Sequence, residues 1–238
     1  MKVLAVIPAR YESTRFPGKP LIDIKGKPMI QRVWEGVKAC EEISEVIIAT
    51  DDKKIFDRAI EFGAKVEMTQ KNHQSGTDRV NEVAQRNSGY DLIINVQGDE
   101  PLVEANHLQK IIQLFKNNSV EIGTLCCPIS KEVAQDHNNV KVVKSANNKA
   151  LYFSRSIVPF ERASGAHYFK HIGLYAFRTE ILSKISNYPT GYLESIESLE
   201  QLRWMEKDHN IYLAEVEKAT PSIDTPADLE KLLGQYDD

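Results

Sequence analysis

A chain of 238 residues suits one large α/β domain or one domain with a substantial insert. At 42% hydrophobic and 27% charged residues it can fill a core and is too mixed for disorder, while a net charge of −4 argues against nucleic-acid binding, which needs a basic face. No apolar run reaches membrane-spanning length, Met1-Lys2-Val3 opens a strand rather than a signal peptide, and Cys40, Cys126 and Cys127 lack metal-type spacing. A cytoplasmic protein with buried, reduced thiols is expected, without membrane insertion.

Val3–Ile7 is short and apolar, as a buried parallel strand should be. It runs into a loop broken by Pro and Gly, from Pro8 to Pro20, that carries Arg10, Arg15 and Lys19. Open α/β sheets bind ligands on loops leaving the carboxyl ends of such strands. Three cations there call for an anion, and a polyphosphate is the natural candidate. The spacing matches neither a Walker A loop nor Gly-x-Gly-x-x-Gly. Pro28 is expected at the first position of a helix, with Ile30, Val33, Trp34, Val37 and Cys40 on one face. Strand Val46–Ala49, helix Lys53–Phe62 ending at Gly63, strand Lys65–Met68, helix Thr77–Arg86 and strand Leu92–Val96 follow. This alternation predicts a Rossmann-like, mainly parallel sheet with helices on both faces.

After a helix near Ala105–Lys116 the rhythm changes. Gly123–Ile129, Val140–Ser145, Ala150–Ser154 and His171–Phe177 read as strands, with Asn147-Asn148 as a hairpin turn. A helix over Glu194–Lys207, strand Ile211–Val216 and a last helix capped by Thr225-Pro226-Ala227-Asp228 complete the chain. The expectation is one domain spanning 1–238, with an antiparallel β excursion at roughly 121–178 that covers a site or pairs with a second subunit.

Asn95-Val96-Gln97-Gly98-Asp99-Glu100-Pro101 places a carboxylate at the end of an apolar strand, on the same sheet edge as the cationic loop. A carboxylate beside a polyphosphate needs a divalent cation between them, and Mg²⁺ is bound by one or two carboxylates plus phosphate oxygens. Asp99 or Glu100 could instead cap the following turn. Asp224 could settle the last helix or serve as a second metal carboxylate. Gln74 to Arg79 fits both an N-cap and a reader of base or ribose. Arg155 and His171 fall in the excursion. Glu200 and Gln201 would lie off the apolar face formed by Leu193, Ile196, Leu199 and Leu202.

Together, Ile7–Leu21, His73–Arg79, Asn95–Pro101, Val140–Val143, Ala150–Arg155, Lys170–Tyr175, Leu199–Arg203 and Asp224–Leu229 resemble, in order and over essentially the whole chain, the 3-deoxy-manno-octulosonate cytidylyltransferases, or CMP-Kdo synthetases. The resemblance implies a nucleotidyltransferase fold, a homodimer, and transfer of CMP from CTP to the acid sugar Kdo for lipopolysaccharide synthesis, with release of pyrophosphate. It implies Arg10, Arg15 and Lys19 as triphosphate ligands, and Ser75, Gly76 and Arg79 in the cytidine pocket. Asp99 and Asp224 become the Mg²⁺ ligands, with Asp99, Asp224, Lys19 and Arg10 carrying catalysis. Gln97, Arg155, His171, Tyr175, Glu200 and Gln201 form the implied sugar site, Arg155 and His171 as donors to the carboxylate. His137-Asn138-Asn139, Ser195 and the short span near Arg162–Tyr168 depart from the commonest family form, leaving 8-amino-Kdo or sialic acid as alternative acid sugars. A nucleotide-sugar-dependent glycosyltransferase is the alternative of another class.

Overall fold

The computed structural model describes residues 1–12 and 16–234. In chain order the first half holds β1 (Val3–Ala9), a 3-10 turn (Lys19–Leu21), β2 (Asp23–Ile24), β3 (Lys27–Pro28), α1 (Met29–Lys38), β4 (Glu45–Thr50), α2 (Lys53–Glu61), β5 (Lys65–Met68), α3 (Gly76–Arg86), β6 (Leu92–Asn95) and α4 (Ala105–Leu114). The second half holds β7 (Ile122–Ile129), α5 (Lys131–Gln135), β8 (Lys141–Lys144), β9 (Ala150–Ser154), β10 (Tyr168–Arg178), α6 (Thr179–Ile185), α7 (Tyr192–Glu197), α8 (Gln201–Met205), β11 (Ile211–Glu215) and α9 (Pro226–Gly234). Two compact units result, one of Met1–Leu108 with Thr220–Asp238 and one of Gln109–Ala219.

In the first unit four parallel strands run in the order β6-β1-β4-β5. Val3 to Ile7 are all buried, as a strand flanked on both sides and covered on both faces requires. The chain steps outward from β1 through β4 to β5, then returns to place β6 on the other side of β1. That reversal is a topological switch point, where α/β sheets open a crevice at their carboxyl edge. A satellite core of Ile24, Met29, Ile223 and Leu232 ties α9 to the segment that follows the cationic loop.

The second unit is built on the order β11-β7-β10, with β11 parallel and β10 antiparallel to β7. Strand β8 joins β10 and pairs with β9 through the expected Asn148 turn, where φ is +57°. The antiparallel excursion is thus present. A cluster of Tyr175, Phe177 and Trp204, with ring centroids 5.1–5.8 Å apart, forms its aromatic centre.

Three expectations need correction. Pro28 precedes α1 as its N-cap, with extended backbone (ψ 147°), because it also pairs in the β2–β3 hairpin. The predicted helix Glu194–Lys207 is broken at Ser198, whose left-handed backbone (φ +52°) separates α7 from α8. Its supposed apolar face breaks with it: Ile196 is exposed, while Leu199, Leu202 and the polar Gln201 are buried. Helices α5 and α6 have too few turns for a sequence period to show.

Candidate active site

The site grows from the register of the first sheet. Val6 of β1 lies opposite Asn95 of β6, so the loops leaving the two strands emerge side by side. Gly98 makes the closeness possible: a Cβ there would stand 2.7 Å from the Pro8 carbonyl oxygen. On the return limb, Gly18 takes φ +72° while its N–H donates to the Tyr11 carbonyl at 2.9 Å, so the cationic loop closes on its own stem before Lys19.

Lys19 then reaches two carboxylates. Its Nζ donates to Asp99 Oδ2 at 2.7 Å and to Asp224 Oδ1 at 3.2 Å. Asp224 is brought there by its neighbour, since Ile223 N–H donates to the Asp99 carbonyl at 2.9 Å. Glu100 takes a different role from the turn cap weighed for it. It is buried and accepts from the Thr220 hydroxyl at 3.1 Å, fastening the returning C-terminal segment. Helix α9 is capped by Thr225, whose hydroxyl accepts from Asp228 N–H while the Asp228 carboxylate accepts from the N–H groups of Asp224 and Thr225, so Asp224 is not needed as the cap.

These groups line a cavity of about 250 Å³ shared by Pro8, Arg10, Lys19, Ser75, Gly76, Arg79, Gln97, Asp99 and Asp224. Ser75 opens α3 through a capping box: its hydroxyl accepts from Asp78 N–H and its own N–H donates to the Asp78 carboxylate. The first turn of α3 therefore faces the cavity with its positive end. Arg79 is almost fully buried, donating to Asp51 Oδ2 at 2.9 Å and to the Thr69 hydroxyl, which fixes its guanidinium as part of the wall. Asp51 escaped the sequence reading, and His73, though within the His73–Arg79 block, was given no role by it. His73 also lines the cavity and pairs with Glu82, a contact between loop and helix that no local pattern reveals. Arg15 lies outside the described residues.

The donor set suits a divalent cation. Two carboxylates already converge on a single positive charge, and among the described residues no third Asp, Glu, His or Cys joins them to complete a protein-only metal cage. That is the composition expected where phosphate oxygens and water supply the remaining ligands.

Gln97 lies in this cavity, whereas the other residues of the implied sugar site belong to the second unit. There Arg155 is held by carbonyls: Nε donates to Glu197 O at 2.7 Å, and the terminal nitrogens reach His137 O and Ser198 O at 3.3 and 3.4 Å. Its backbone N–H donates to the Glu197 carboxylate, which also accepts from Ser154. Lys141, wholly buried, donates to Asp136 O and Arg155 O, and burial lowers its pKa. His171 and Tyr175 are neighbours, with ring centroids 5.3 Å apart. Tyr175 Oη and Gln201 Nε2 are buried without a hydrogen-bond partner. Burial, then the nearby Glu200 charge, raises the Tyr175 pKa well above its usual value, so the phenol stays protonated. Unsatisfied buried polar atoms are costly and call for an explanation. A separate hollow of about 320 Å³ near Lys131 and His167 shows no such convergence, and Lys131 is paired with Glu161.

A cytidylyltransferase family model matches residues 4–215. The chain is 46% identical to the 3-deoxy-manno-octulosonate cytidylyltransferase of Parabacteroides distasonis, covering 98% of this chain and 97% of that protein. It is 45% identical to the Escherichia coli protein of the same name, over 97% and 94%. Among solved structures, a CMP:2-keto-3-deoxy-manno-octonic acid synthetase complexed with CTP superimposes with a TM-score of 0.96 at 43% identity, over 100% of this chain and 99% of the other. Matches of this length and identity place it in a single family: the chain belongs to the 3-deoxy-manno-octulosonate cytidylyltransferases.

Proposed function

We propose that the protein transfers CMP from CTP to the anomeric hydroxyl of 3-deoxy-D-manno-octulosonate, giving CMP-Kdo and pyrophosphate for lipopolysaccharide synthesis. The observation that carries this reading is the junction of Lys19, Asp99 and Asp224 at the mouth of the β1–β6 crevice. Relatives named for this activity, and a similar chain bearing CTP, support it.

In-line attack of the sugar hydroxyl on the α-phosphorus spreads negative charge over the phosphoryl oxygens, so positioning and electrostatics supply most of the rate. Lys19 and Arg10 offset charge on the triphosphate and on the departing pyrophosphate. Ser75, Gly76 and Arg79 hold the nucleoside end, with α3 presenting N–H donors. Asp99 and Asp224 would hold Mg²⁺, which supplies polarisation of the phosphate and a lowered pKa for the attacking hydroxyl. Arg155 pairs with the sugar's carboxylate, because a carboxylate brought beside a triphosphate is costly unless matched. Gln97, His171, Tyr175, Glu200 and Gln201 complete the sugar site.

The protein acts as a homodimer in the cytoplasm. Exposed Phe160, Leu151 and Val133 in the excursion support self-association, and three buried reduced cysteines suit a reducing compartment. Sedimentation gives the mass directly.

The deciding assay is pyrophosphate release from CTP with Mg²⁺, run over Kdo, 8-amino-Kdo and sialic acid. Release with Kdo and none without a sugar acid is expected. Release with another acid sugar and none with Kdo would reassign the acceptor. No release with any acid would favour a glycosyltransferase using a nucleotide sugar.

A further inference from the structure

Strand β10 carries an irregularity that determines what His171 can do. In a regular strand, residues four apart lie roughly 13 Å apart along the chain. The rings of His171 and Tyr175 have centroids only 5.3 Å apart. The cause is a bulge: the β10–β7 register jumps from Ile172 opposite Leu125 to Tyr175 opposite Thr124, leaving two extra residues on β10. Bulges of this kind re-aim side chains beside functional sites.

The Thr124 hydroxyl sits against this bulge. Its oxygen lies 2.8 Å from Leu174 O, 3.1 Å from Ile172 O and 3.0 Å from His171 Nε2. A hydroxyl has one proton, and carbonyl oxygens only accept. The arrangement that satisfies most of these contacts sends the proton to one carbonyl and turns a lone pair toward Nε2, which then carries a hydrogen. A neutral imidazole has one N–H, so Nδ1 is bare. Burial keeps the ring neutral, pushing its pKa down to about 3, and the neighbouring Lys170 charge acts in the same direction. Phe153, 4.9 Å away edge-on, adds an apolar wall. Nδ1 has no hydrogen-bond partner among the described residues.

A ring in this state cannot donate to a carboxylate through Nδ1. We propose that Thr124 is a positioning residue that fixes the Nε2–H tautomer of His171, so that His171 accepts a hydrogen bond from a hydroxyl of the acid sugar and takes no part in binding its carboxylate. The inference rests on the assignment of His171 to the sugar site. It assigns opposite polarities within that site: Arg155 reads the acid as a cation, and His171 reads a hydroxyl as a neutral acceptor. It also makes Thr124 a determinant of sugar recognition through His171.

Nitrogen-15 NMR of the full chain labelled at histidine tests the tautomer without any substitution. Between pH 8 and pH 5 the His171 signals should show a protonated Nε2 and a bare Nδ1, and Nδ1 should respond to saturating sugar acid. An Nδ1–H tautomer, or an imidazolium near neutral pH, overturns the proposal. Kinetics then test the role. Thr124→Val should raise KM for the sugar acid about tenfold, leave KM for CTP within about twofold, and be rescued by Thr124→Ser. An unchanged sugar KM in a folded Thr124→Val protein overturns the positioning role. Failure of the wild type to use any sugar acid would instead refute the proposed function, while the NMR experiment still reports on the tautomer.

Discussion

The sharpest chemical consequences sit at single atoms. Asp99 and Asp224 share one ammonium, so replacing either with Asn preserves shape and removes the charge that gathers a cation. Each substitution is expected to cut turnover at least a hundredfold, on the scale of about 3 kcal/mol for a lost electrostatic group. A chelator should abolish pyrophosphate release and added Mg²⁺ restore it. Near-normal activity of Asp224→Asn across a Mg²⁺ titration would remove that residue from the mechanism, since Asp228 already serves the helix. Arg155 needs a gentler test than truncation. Its guanidinium holds three backbone carbonyls, so Arg155→Ala would also cost stability. Arg155→Lys keeps the charge and loses the fork. It should raise KM for the sugar acid by tenfold or more and leave KM for CTP within about twofold; the reverse pattern would assign Arg155 to the nucleotide.

At the scale of elements, two loops and one helix start form the nucleotide side. Gly98→Ala would force a Cβ to 2.7 Å from the Pro8 carbonyl, and backbone cannot yield as a side-chain tip can. Loss of CTP binding with a lowered melting temperature is expected, measured by calorimetry. Ser75→Ala removes a cap, costing about 1 kcal/mol, and should raise KM for CTP by loosening the first turn of α3. A full melting-temperature loss with unchanged KM would make Ser75 purely structural. Much at this scale was legible in the sequence, because long apolar periods and a Ser-x-x-Asp box are local signals. The break at Ser198 was not. Helical periodicity runs straight through Leu193, Ile196, Leu199 and Leu202. The left-handed turn is instead set by contacts across it: Arg203 pairs with Glu194, and Glu197 clasps Ser154 and Arg155.

Acid stability is a property of the whole chain. Burial, then the Lys170 charge, pushes folded His171 from its ordinary 6.5 down to about 3, so the unfolded state binds the extra proton and stability falls as pH drops from 6.5 toward 3. Glu45 is held below the usual range by hydrogen bonds from Lys65 and Tyr90, and its contribution is lost lower, as pH falls through its depressed folded value. Urea unfolding at pH 8 and pH 5 should show a clear loss for the wild type and a smaller one for His171→Gln. Equal losses would mean that another group dominates. The cysteines should resist alkylation until unfolding, since burial pushes Cys40 up to about 11 and Cys126 to about 12.

By itself the sequence determined the parallel α/β order, the excursion, the cationic loop and the two aspartates, because strand composition, turn residues and compact motifs are written within a few residues of one another. The tertiary structure alone decided which carboxylate meets Lys19: 80 and 205 residues separate it from Asp99 and Asp224, and the parallel register of β1 and β6 with the return of residue 223 brings all three together. It decided equally that Gln201 is buried rather than solvated, and that the Thr124 hydroxyl meets His171 across a bulge. Those outcomes depend on where a proton, a lone pair or a backbone turn finds a partner distant in the chain. One-dimensional periodicity carries no record of such pairings.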